Sequence, residues 1–262
     1  MLRIQRHDDV TQVRLTTWRG RLVGYDVSVY LVRNVLVDTG FPHAAEQLGQ
    51  FLDANMVRGV IVTHWHEDHA GNAAMIASRG IPLVISPLTL AQLGGAAAAS
   101  IRFYRRFVWG VAAPVRSAVL PFTSEGLRVL HAPGHSPDHH VVWDEERETL
   151  FGGDLFLGVR VRATFPDEDP RQLAATLRAI AALRPRRMFD AHRGLVGEPT
   201  SALLTKAAWI EEMVERIDAK IDAGWSDRAI RRQVLGRERA VGLISGGEYS
   251  RLTFVRAVRR TR

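Results

Sequence analysis

The sequence predicts an α/β domain followed by an all-helical extension, and three observations carry that expectation. An apolar run, Val57 to Val62, has the length and composition of a buried strand and breaks directly into a dense cluster of histidines and carboxylates. Short apolar runs then alternate with amphipathic helical patterns as far as residue 193, and from about Thr200 only helical periodicity remains.

Taken in order, Val13–Thr17 and Val27–Val32 read as strands, and Asn34–Val37 as another that ends in Asp38-Thr39-Gly40. An aspartate in that position can reach a site at the sheet edge or serve an ordinary turn. His43–Asn55 places Ala44, Leu48, Phe51 and Leu52 on one helical face. After the strand Val57–Val62 comes Thr63-His64-Trp65-His66-Glu67-Asp68-His69, then a helix expected from Ala70 to Ser78 with Gly80 at its end. Ile81–Ile85 is a further strand, and Pro87–Gln92 begins a helix.

Residues 94–122 interrupt the alternation. The segment is longer than an ordinary connection, and in Ile101–Trp109 aromatic residues and arginines are interleaved, as suits a lid, a partner surface or a membrane-facing helix. Regular structure resumes with strands at Leu127–Leu130, Val141–Trp143 and Thr149–Phe151, the last followed by Gly152-Gly153-Asp154. Asp169-Pro170 is a helix start, cap residue then proline, for a helix reaching about Arg184. A short strand, Arg187–Phe189, precedes Asp190-Ala191-His192. Three C-terminal helices are expected: Ser201–Ala223, a second capped by Ser226 and ending near Gly236, and a third over Glu248–Arg260. Residues 1–199 thus read as a catalytic domain with 94–122 as a lid or insertion, and 200–262 as a helical extension.

The cluster at residues 64–69 holds three histidines and two carboxylates. In extended backbone His64 and His66 share a side, and Asp68 and His69 follow where the chain turns toward the helix. Burying so many polar groups without a cation is costly, and imidazole with carboxylate is the donor set of zinc and similar ions. His135, Asp154 and His192 recur after short apolar runs, where open sheets present function. Seven candidates, His64, His66, Asp68, His69, His135, Asp154 and His192, suffice for two ions sharing one carboxylate.

Composition sets outer bounds. With 262 residues, 46% hydrophobic, the chain can bury one large core. No cysteine is present, so neither a disulfide nor a thiolate ligand is available. The start shows no apolar leader and no run of membrane-spanning length occurs, from which a cytoplasmic location is expected. Net charge is +7, almost all from arginine, with Lys206 and Lys220 the two lysines. That balance suits anionic partners, nucleic acid included, or reflects base composition.

Val-Asp38-Thr-Gly, the His-x-His-x-Asp-His run, Pro-Gly-His135, Gly-Gly-Asp154 and Ala-His192, in that order over residues 27–193, resemble the metallo-β-lactamase fold superfamily of metallo-hydrolases. The resemblance implies an αββα sandwich, of the α/β (α+β) class, with the site along one edge of two packed sheets. It implies further that His64, His66 and His135 hold one ion, that Asp68, His69 and His192 hold the other, and that Asp154 bridges them, with Asp38 behind the ligands orienting one of them. The subclass of zinc β-lactamases with a cysteine ligand does not match a cysteine-free chain, whereas Asp68 with Asp154 is similar to the glyoxalase II, lactonase and RNA-processing branches. His135-Ser-Pro-Asp-His139 resembles a Gly-His-Thr-x-x-His stretch of glyoxalase II-like hydrolases, so His139 either supports the site, faces substrate or is simply packed beneath it. His140 is expected to be structural, and His7, His43 and His131 incidental.

The expected chemistry is hydrolysis by a hydroxide bridging two divalent ions, zinc first, iron or manganese as alternatives, with Asp68 orienting the nucleophile and relaying a proton. A small-molecule thioester, ester or lactone is the favoured substrate. Phosphodiester cleavage, supported by Arg102, Arg105, Arg106 and the basic tail, is the rival, with β-lactam opening as a main or side activity. Nucleic acid is the less favoured partner, and a homodimer stays open.

Overall fold

The structure, a computed structural model, describes residues 2–94, 101–161 and 163–262. Among them, two mixed sheets pack face to face. The first has the order β1 (Leu2–His7), β2 (Val10–Leu15), β3 (Val27–Val32), β4 (Val35–Val37), β5 (Gly59–Ile61), β6 (Leu83–Val84), antiparallel up to β4 and parallel from there. The second runs β11 (Gly194–Val196), β10 (Arg187–Asp190), β9 (Thr149–Phe151), β8 (His140–Asp144), β7 (Leu127–His131), with only β9 and β10 parallel.

Period-two alternation separates the layers, because successive strand side chains point to opposite faces. Val32, Val35, Val37, Ile61, Val142, Phe151 and Phe189 meet between the sheets. Leu36 and Val60 point the other way, onto Leu48 and Phe51 of the helix Ala45–Ala54. Val141, Leu150 and Met188 point away on the second sheet, onto Leu173 and Leu177 of a helix spanning Pro170–Ala181. The result is the four-layer αββα sandwich expected.

The C-terminal region joins the same outer core. In the helix Pro199–Asp222, residues Leu203, Ala207, Ile210, Val214 and Ile217 recur at helical spacing and pack with Val141, Leu150 and Met188. Ser226 caps the next turn as expected, by accepting from the Ala229 N–H. The single helix anticipated there is instead a short α-turn, Asp227–Ile230, followed by a π-turn over Arg231–Leu235. The last helix starts at Arg251, not Glu248, because Ser250 takes the cap and accepts from the Thr253 N–H. No helix among the described residues is long and apolar enough to cross a membrane.

Other differences have local causes. Strand β1 alternates apolar and polar only over Leu2 to Gln5, and as a mostly exposed edge strand it carries too short a pattern to stand out. The helix expected from Ala70 begins already at Glu67, breaks after Ala70 and restarts at Ala73. Its interruption lies where the Asn72 amide donates to the Thr39 and Phe41 carbonyls, and where a side chain at Gly71 would strike the Gly40 carbonyl at 2.7 Å. Within 94–122, a helix forms over Phe103–Val108, and residues 95–100 lie outside the described set.

One glycine is dictated by the approach of a helix. Gly134, at φ +126°, would place an added Cβ 2.4 Å from the backbone N and Cα of Leu173. Gly134→Ala is therefore expected to destabilise the chain by about 2–4 kcal/mol, through strain at positive φ and overpacking together. Urea unfolding checks this; an unchanged midpoint refutes the close approach.

Candidate metal centre

Strands β4, β5, β9 and β10 all end at one edge of the sandwich, where the loop between β7 and β8 joins them. Each delivers a polar side chain. Asp38, at φ 65°, occupies the left-handed region that aspartate tolerates better than most residues. Its carboxylate accepts from the Thr63 N–H at 2.8 Å and from the Thr63 hydroxyl, and faces His69 Nδ1 at 2.7 Å. This anchors both ends of the 63–69 run to the neighbouring strand and turns His69 Nε2 inward.

The histidines then converge. His66 Nδ1 lies 2.9 Å from His64 Nε2 and 3.1 Å from His135 Nε2. Asp154 Oδ2 is 3.4 Å from His135 Nε2, while its Oδ1 is 3.2 Å from both His69 Nε2 and His192 Nε2. Asp68 Oδ2 faces His192 Nε2 at 3.2 Å and receives the Tyr25 hydroxyl. Two groups result, His64, His66, His135 and Asp154, and Asp68, His69, Asp154 and His192, with the donor atoms of each within 4.8 Å of one another and Asp154 in both. All seven side chains singled out in the sequence meet in this one place.

Electrostatics differ between the groups. Burial, then the neighbouring imidazoles, pushes His64 well below the usual histidine range; burial followed by His135 and Arg105 does the same to His66. Burial also acts against a charged His69 and His192, but Asp154 and Asp68 outweigh it and hold both well above that range. Converging imidazole lone pairs beside buried carboxylates is an arrangement that a cation would relieve. His66 Nε2, His69 Nε2 and Asp154 Oδ1 are buried without a hydrogen-bond partner among the described residues, which tests the fit directly.

Supporting residues come from further away. His139 is fully buried; its Nε2 accepts from the Asp154 N–H at 3.1 Å, and its Nδ1 lies 3.1 Å from the Ala132 carbonyl. It therefore sits beneath Asp154, out of reach of solvent. Asp138 joins two loops by accepting from the Trp65 N–H, the Ser136 hydroxyl and the Thr89 hydroxyl. Asp190 accepts from the backbone N–H groups of Leu157, His192 and Arg193. His140, half-buried, contacts its own loop through the Asp138 carbonyl.

Several contributors carried no motif. Glu67, inside the histidine run, turns away from the cluster to meet Arg105 Nη2 at 2.5 Å, and Arg105 Nη1 also faces Glu248 at 3.5 Å. The guanidinium lies 4.9 Å from the Phe165 ring and 5.5 Å from that of Trp65. Tyr25 packs against both His192 and Trp109. Lys206 donates to the carbonyls of Leu155 and Phe156, just after Asp154, at 2.8 and 2.6 Å. One sign of it was legible: a rare lysine among Leu203, Ala207 and Ile210 on the apolar face of its helix.

Residues 22–192 match the family model described as the metallo-beta-lactamase superfamily. The chain belongs to that superfamily. Its two His/Asp groups, which share Asp154, could each hold a metal ion. Among curated relatives, a beta-lactamase-like protein 2 homolog of Drosophila melanogaster is 30% identical over 174 residues, covering 64% of this chain and 57% of that protein. An atrochrysone carboxyl ACP thioesterase of Aspergillus fumigatus is 30% identical over 197 residues, covering 72% of this chain and 51% of its own length. The chain thus spans little more than half the length of the curated relatives it matches. Among solved structures, a metallo-beta-lactamase family protein from Thermus thermophilus has TM-score 0.67 at 18% identity, covering 96% of this chain and 92% of that one. A metallo-beta-lactamase from Pontibacter korlensis has TM-score 0.60 at 20% identity, covering 80% and 99%. At such identities these two speak for the fold alone.

Proposed function

We propose that this protein is a binuclear metal-dependent hydrolase that cleaves a carboxylic thioester, ester or lactone. The observation that carries the reading is Asp154, whose two oxygens face the two donor groups separately. His64, His66 and His135 would hold one ion and Asp68, His69 and His192 the other, with Asp154 shared. Zinc suits this nitrogen-and-oxygen set first; iron and manganese also accept it. Bound there, two divalent ions would supply an activated water at neutral pH and a Lewis acid for a substrate carbonyl.

The chain's own residues do the rest. The Tyr25 hydroxyl, kept protonated by burial and by Asp68, orients the Asp68 carboxylate. Asp68 takes the proton of the attacking water at its carboxylate and passes it to the leaving group. Asp38 holds His69 and His139 holds the Asp154 backbone, so the donors are set before substrate arrives. Residues 1–199 would carry this chemistry, with the Phe103–Val108 helix as a cover over the site and 200–262 buttressing it.

Two observations favour an acyl substrate. Relatives that match this chain at 28–30% identity are named as acyl-carrier thioesterases. Moreover, Arg105, one of three arginines that would have suited a phosphodiester, is buried and committed to Glu67 and Glu248. Metal analysis combined with a panel of thioesters, lactones, β-lactams and phosphodiesters tests the proposal. About two ions per chain and chelator-sensitive turnover of an acyl substrate are expected. Absence of bound metal, or full activity after chelation, overturns it, and turnover confined to phosphodiesters reassigns the substrate.

A further inference from the structure

Helix Phe103–Val108 has two faces. One carries Arg105 and Val108, buried toward the site. The other presents Phe103, 80% exposed, stacked on Phe107 with ring centroids 6.2 Å apart. Phe107 in turn meets Trp18 edge-on at 6.0 Å. Trp18 opens the short helix Trp18–Leu22, whose Leu22, one turn on, is 71% exposed and is followed by the exposed Val23. Exposed large side chains are ordinary singly, but a run of aromatic and aliphatic groups joined across two elements beside an active-site cover is not.

Charge singles out the same region. Between Asp9 and Asp26, and again between Asp68 and Glu125, the sequence contains no acidic residue. Arginines occupy these stretches instead. Arg19 places its guanidinium over both the Trp18 and Phe107 rings, at 5.3 and 5.2 Å, and Arg21 and Arg106 are exposed, as is Arg102, which lies 3.8 Å from Glu248. An apolar ridge rimmed mainly by arginine complements a surface that is anionic outside and apolar just beneath. Single-stranded nucleic acid would also attract arginine and stack on aromatics, but Leu22 and Val23 have no base-stacking use. They do have a use among acyl chains.

We propose that the ridge formed by Trp18, Leu22, Val23, Phe103 and Phe107 docks this protein on anionic lipid membranes, with the arginines on headgroup phosphates and the site mouth toward the surface. This docking does not depend on the metal reading, and its test does not use turnover as evidence of binding.

The full chain is sedimented with vesicles of phosphatidylcholine alone and of phosphatidylcholine with about 30% phosphatidylglycerol, at low and at physiological salt. Binding to the anionic vesicles at least about tenfold tighter than to neutral ones is expected, weakening with salt. The double variant Trp18→Ser/Phe103→Ser should lose about tenfold in affinity while keeping its thermal unfolding midpoint. Arg21→Glu, a fully surface change, should weaken anionic binding without touching the apolar ridge. Failure to bind anionic vesicles at low salt overturns the proposal. So does binding that the serine variant leaves intact, which would be nonspecific charge attraction. Binding of single-stranded RNA that the serine variant abolishes, without vesicle binding, would reassign the face.

Discussion

Asp154→Asn is expected to lower turnover by on the order of a thousandfold or more, and to reduce bound metal from about two ions per chain toward one. The substitution keeps shape and removes charge from the one side chain whose oxygens face both donor groups, Oδ2 toward His135 and Oδ1 toward His69 and His192. Its backbone N–H donates to His139, so the loop has a reason to stay in place and the loss can be assigned to the carboxylate. Metal content by elemental analysis and unfolding of the metal-free protein, read side by side, separate the effects. An Asp154→Asn protein that retains two ions and near-normal turnover would remove the basis for a shared carboxylate.

The second large effect concerns stability. Arg105 is 5% exposed and stands between two carboxylates, Glu67 from the histidine run and Glu248 from the C-terminal region. Arg105→Met leaves a buried Glu67 without its partner, which typically costs about 3–5 kcal/mol. For a chain of this size that is roughly a 10 °C fall in unfolding midpoint. Arg105→Met combined with Glu67→Gln should recover much of it, because a buried amide is far cheaper than a buried unpaired carboxylate. Calorimetry of the single and double variants decides it; equal midpoints for the single variant and the parent would show the pair to be energetically idle.

These two residues mark how far the sequence can be read. Asp154 was legible because its chemistry is local: an apolar strand, two glycines and a carboxylate in one short stretch. The same holds for the histidine run, for Asp169 and Ser226 as caps, and for the strands Val35–Val37 and Val141–Trp143, whose unbroken apolar runs mark them as buried on both faces. Arg105 was not legible as a core ion. Its partners lie 38 and 143 residues away, and nothing local distinguishes it from the exposed Arg106 beside it. Tyr25 escaped for the same reason, and Lys206 showed only as a lysine on an apolar helix face, with its carbonyl partners some 50 residues away. The edge strand β1 escaped because solvent, not a core, faces most of it, and its alternation stops after four residues.

The donor set is divided between the sheets: His64 to His69 follow a strand of the first, while His135, Asp154 and His192 belong to loops of the second. Neither half of the chain can therefore complete either group alone. Ions held there would act as a rivet between the halves and bind the native chain while largely ignoring an unfolded one. Resistance to unfolding would then climb with the free ion concentration, by about 4 kcal/mol at a thousand times the dissociation constant. Starvation for metal would loosen the whole sandwich as well as silence it.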